Sequence, residues 1–71
     1  MSGAGMEAYC AKVRQALKTA SGQRIIRTCR GVDGMSYQRA LCILARKVTR
    51  EMNYERLTEV VETVLAEEIN T

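Results

Sequence analysis

The chain has 71 residues, eleven Lys and Arg against eight Asp and Glu (net charge +3), three Cys, no His and no Pro. A chain this short makes one domain that hides only about 60% of the surface it exposes when unfolded. Without His it lacks the side chain most used as a general base, and no phosphate-cradling glycine motif is present, so a binding protein rather than an enzyme is expected.

Cys10, Cys29 and Cys42 cannot all pair within one chain, and their spacings of 19 and 13 match no zinc framework. The expected state is three reduced thiols buried as small hydrophobes in a reducing intracellular compartment, cytoplasm or nucleus, with no metal and no cofactor. With disulfides and metals set aside, association with a partner remains as the extra source of stability, and a homodimer is expected. The longest apolar run, Ala40 to Ala45, is far below the ~18 residues of a membrane span.

Residues 1–5 read as a disordered N-terminal tip or a remnant of cloning, and 6–71 as a single helical domain. A first helix is predicted from about Met6 to Ala20, where Met6, Tyr9/Cys10, Val13, Ala16/Leu17 and Ala20 recur at helical spacing. Ser21-Gly22 is expected to end it. A second helix, about Gln23 to Arg30, carries Ile25, Ile26 and Cys29, and Gly31-Val32-Asp33-Gly34 reads as a turn. A third is predicted from about Ser36 to Met52 with Ser36 as N-cap, and a fourth from about Tyr54 to Asn70 capped by Asn53. No strand alternation is convincing, so the fold class is all-α, a small bundle of about four helices.

The third helix is the informative one. At about 100° per residue, Tyr37, Leu41, Leu44 and Val48 fall in one stripe, widened by Ala40 and Ala45, as a core face requires. On the other side Arg39, Arg46 and Arg50 cluster within about 40°, flanked by Lys47, with Ile43 in their midst and Cys42 at the border. Arginine stems covering a half-shielded Ile43 is one explanation; a contact surface is the other.

Charge is uneven along the chain. Residues 1–50 hold ten Lys and Arg against Glu7 and Asp33, a net +8; residues 51–71 hold six Glu against Arg56, a net −5. The leading expectation is a small regulatory module whose basic helical surface contacts nucleic-acid phosphates, duplex DNA or RNA. Arg39, Arg46 and Arg50 are the first candidates for phosphate contact, with Lys47, Arg24, Arg27, Arg14 and Lys18 as contributors. Stacked bases are not expected, because the only aromatics are Tyr9, Tyr37 and Tyr54 on helical apolar faces or starts. A helix-turn-helix would put Arg30 and Asp33 where small and apolar residues belong, which disfavours it.

The alternative is a protein–protein adaptor or inhibitor domain acting through an apolar helix face built from Ile43, Cys42, Met35 and Met52. A structural subunit of a larger assembly is a third reading. In the reading of the charge asymmetry that competes with anion binding, the acidic face of the last helix (Glu55, Glu59, Glu62) is the partner of the basic faces, within the chain or between the chains of a dimer. The five residues Gly34-Met35-Ser36-Tyr37-Gln38 are similar to a short word in the helical, duplex-RNA-binding silencing suppressor of insect nodaviruses. That likeness spans these five residues and assigns a role to none of them.

Overall fold

The computed structural model describes residues 2–70, with side chains described for 5–69. Four helices follow one another: α1 (Ser2–Lys18), α2 (Ala20–Asp33), α3 (Tyr37–Val48) and α4 (Tyr54–Asn70). No strand occurs among the described residues, and the fold is an all-helical bundle. Among the described residues no helix is long and apolar enough to cross a membrane.

The element boundaries show which local signals win. The backbone of α1 is helical from Ser2, so it runs through residues 2–5, set aside above as a tip; Met1 lies outside the described residues. The break between α1 and α2 falls at Thr19 rather than at Ser21-Gly22. Thr19 is extended (φ −86°, ψ 154°), its hydroxyl donates to the Ala16 carbonyl at 2.7 Å, and the same oxygen accepts from the Gly22 amide at 3.0 Å. One side chain thereby closes α1 and caps α2. Gly22 then falls in the first turn of α2, and the Gln23 side-chain amide reaches back to the Leu17 carbonyl.

The second helix continues to Asp33 instead of stopping at Arg30. Gly34, at φ 63°, adopts the left-handed cap, whereas Gly31 is ordinary helix. Only one of the two glycines in the expected turn has the conformation that ends a helix.

The third helix starts as expected, with the Ser36 hydroxyl accepting from the Arg39 amide at 3.3 Å, but stops at Val48, four residues early. Thr49 is the reason. It is buried, leaves helical geometry (φ −127°, ψ 70°), and satisfies its hydroxyl on the Ala45 carbonyl at 2.6 Å. A buried threonine that bonds back to its own helix competes with helix continuation. Asn53 then caps α4 through the Arg56 amide at 2.9 Å, as read from the sequence.

The core takes Cys10, Val13 and Leu17 from α1, Ile26 from α2, Ala40, Leu41, Leu44 and Ala45 from α3, and Leu57, Val60, Val61 and Val64 from α4. Each fully buried leucine or valine contributes about 1.5–3 kcal/mol by leaving water. Ala40 and Ala45, both at 0% exposure, let the neighbours approach α3 closely, and α3 packs against all three other helices. The backbones of α2 and α4 do not come close to one another. Chain direction follows from the side chains: Arg14 meets Glu67 and Cys10 lies beside the Val60 carbonyl, so α1 and α4 run parallel. Tyr37 meets Glu68 from the start of α3, so α3 and α4 run antiparallel.

Candidate functional site

Shortening α3 redistributes the side chains singled out in the sequence. Arg39 and Arg46 remain on α3 and are exposed. With Met35, Cys42 and Ile43 they line a groove of about 550 Å³ between α3 and α4, closed on the far side by Tyr54, Leu57 and Thr58. Two of the three first-choice phosphate-binding arginines and most of the predicted apolar interface are therefore one place. Ile43 and Cys42 are half-buried at its floor, and the arginines stand at its rim.

Arg50 does not join them. Beyond Val48 the chain is no longer helical, so the 100° rule that put Arg50 beside Arg39 and Arg46 does not apply to it. Arg50 lies in the α3–α4 turn, where it borders a second hollow of about 330 Å³ with Lys47, Met52, Tyr9 and Lys12. Met52 is thus separated from Met35, Cys42 and Ile43, and the interface set is corrected to those three. Lys12, whose ammonium sits 5.8 Å from the centre of the Tyr9 ring, is the residue that sequence reasoning missed. No periodicity could have found it, because α1 and the end of α3 meet only in the folded bundle.

Arg24 and Arg27 are exposed one turn apart on α2, whose backbone does not come close to that of α4. Arg14 is instead engaged: its Nη2 donates to Glu67 Oε1 at 3.0 Å, and its Nε lies 2.5 Å from Oε2, without hydrogen-bond geometry. Both side chains are about half exposed, so the pair is worth no more than ~0.2–1 kcal/mol, but it draws Arg14 away from outside anions. Lys18 borders a third hollow whose lining includes Glu67 and Glu68.

Two thiols and a phenol respond to their surroundings. Burial pushes the Cys10 thiol up. Burial also raises Cys42, with Arg39 opposing the rise and Glu62 adding to it, which places Arg39 and Glu62 both within electrostatic reach of the groove floor. Cys10 is the one fully buried thiol; Cys29 and Cys42 are half-buried, so the expectation of three buried cysteines holds for one. Tyr37 rises from 10.0 to about 12, first through burial and then through its hydrogen bond to Glu68. Among the described residues no three of Cys, Asp and Glu gather closely enough to hold a metal ion.

Comparison of the chain with protein-family models, with curated proteins and with solved structures finds no significant match.

Proposed function

We propose that this chain is a small non-catalytic binding module that works as a homodimer and holds a nucleic acid by its phosphates. The observation that supports this most directly is the gathering of Lys12, Lys47 and Arg50 around one hollow, with Glu51 the one carboxylate in its lining. Cations held together on a small body attract an anion, and one that offers charge at regular spacing suits several of them at once. Arg24 and Arg27 of α2 are exposed as well and add to the cationic surface of the bundle. Recognition through the backbone would give little sequence preference, since base-stacking aromatics are not gathered at the hollow beyond Tyr9.

Fluorescence anisotropy with labelled duplex DNA, duplex RNA and single strands, at low and at physiological salt, tests this reading. Binding that weakens steeply with salt and is lost in Lys12→Ala/Lys47→Ala/Arg50→Ala supports it. Absence of binding to all three probes at low salt rejects it.

A protein–protein role is the second reading, and the groove of Ile43, Cys42 and Met35 favours it. An apolar floor with a basic rim suits a partner surface that is itself apolar and acidic.

A further inference from the structure

We infer that the groove between α3 and α4 is the homodimer interface, and that the two-fold axis runs along the groove, so that α3 of each copy lies against α4 of the other. This rests on the dimeric part of the function proposed above. It assigns Arg39 and Arg46 to the partner chain rather than to phosphate.

The argument begins with what stands on each rim. On α3 the rim is basic, Arg39 and Arg46. On α4, Tyr54 and Thr58 line the groove; Glu62 follows about 40° round the helix from Thr58, and Glu55 about 20° further. Glu59 completes an exposed acidic ridge beside the apolar floor. One helix of the groove is therefore positive and the other negative, and among the described residues no salt bridge within the chain joins Arg39 or Arg46 to that ridge.

Register supplies the second step. Because α3 and α4 are antiparallel, with Tyr37 at the start of α3 bonded to Glu68 near the end of α4, Arg46 lies toward the Tyr54 and Glu55 end of the groove and Arg39 toward the Glu62 end. A two-fold axis parallel to the groove keeps these levels and exchanges the rims. It sets Arg39 against the ridge at Glu62 of the second copy and Arg46 against the ridge at Glu55. It also carries the Tyr54 ring, 70% exposed in the single chain, over the groove of the other copy. A two-fold axis across the groove would set α3 on α3 and Arg39 and Arg46 against basic copies of themselves, which like-charge repulsion disfavours. Apolar floor, opposite rims and matched levels are what an isologous interface needs.

Sedimentation of the intact chain, then of two single variants and their mixture, tests the assignment. Native chain sediments as a dimer; Arg39→Glu alone and Glu62→Arg alone each associate roughly a hundredfold more weakly. An equimolar mixture of the two regains the dimer, because each like-charge contact becomes an opposite one between copies. Both positions are exposed, and circular dichroism showing native helix content in each variant separates lost association from lost folding. A native chain that stays monomeric overturns the dimeric reading and this one with it. Dimers that persist in both variants place the interface elsewhere and overturn this inference alone. Singles that dissociate but are not rescued by mixing reject the axis along the groove.

Discussion

Gly22 lies against the Ala16 carbonyl so closely that a Cβ built on it would meet that oxygen at 1.8 Å. The obstacle is backbone, which cannot swing aside as a side chain would. Gly22→Ala must therefore open the α1–α2 corner, at a cost of about 1–3 kcal/mol and a Tm lower by roughly 5–20 °C. Gly31, also helical, has nothing within 4 Å of its would-be Cβ. Gly31→Ala should instead raise stability by about 0.5–1 kcal/mol, since the unfolded chain loses freedom and the helix loses nothing. Thermal melts of the two variants should move in opposite directions; a parallel shift would refute the tight corner.

Tyr37 joins three helices: its ring carries the Arg30 guanidinium 5.9 Å from the centroid, and its hydroxyl donates to Glu68 at 2.9 Å. Its folded value, about 12, exceeds the ordinary 10.0. Below pH 10 the phenol keeps its proton whether the chain is folded or not, so the whole contribution is present. As pH rises from about 10 to about 12 the unfolded chain releases the proton first, and that stability is lost. Urea midpoints should fall across this window in the native chain and fall less in Tyr37→Phe. Equal slopes would show that the phenol titrates alike in both states.

The three side-chain caps should not contribute equally. Asn53 accepts from the Arg56 amide at 2.9 Å, Thr19 from Gly22 at 3.0 Å and Ser36 from Arg39 at 3.3 Å. Removing a cap costs about 0.5–2 kcal/mol. Thr19→Ala should cost the most, because its hydroxyl also satisfies the Ala16 carbonyl, and Ser36→Ala the least. Denaturant titration of the three alanine variants gives the order directly.

If phosphate contact runs through Lys12, Lys47 and Arg50, each contact neutralised releases counterions from the nucleic acid. Removing each cation should lower the slope of log affinity against log salt by about 0.9 for duplex DNA and about 0.7 for a single strand. Arg14→Ala should leave the slope nearly unchanged, because Glu67 already holds that guanidinium. A slope that responds to Arg14 as strongly as to Arg50 would contradict the division drawn between them.

The thiols should separate by access. Cys10 is 1% exposed, with its thiol raised by burial, so it reacts only when the bundle opens. In dilute solution at neutral pH, Cys42 should be modified well ahead of Cys10, as peptide mass spectrometry of a timed reaction would show. Equal rates would mean that the α1–α4 packing opens as readily as the groove.

Much of the fold was legible in the residues themselves. Helical spacing marked all four helices, the stripe of Ala40, Leu41, Leu44 and Ala45 marked the buried side of α3, and Ser36 and Asn53 marked two helix starts. These signals are local: a cap acts within three residues and a stripe repeats within one helix. What the sequence could not decide was where a helix stops when several residues could stop it. Thr49 ends α3 because it is buried, and burial is settled by the packing of other helices. Gly22 serves a close approach rather than a terminus, which is invisible until α2 lies on α1. The candidate sites turn on the same distinction. Charge and periodicity named Arg39, Arg46 and Ile43, but the end of α3 moved Arg50 and Met52 to another hollow, and packing against α1 brought Lys12 to meet them. Composition and helical phase fix what each helix offers; only the packed bundle decides which offerings share a surface, because proximity between helices has no period along the chain.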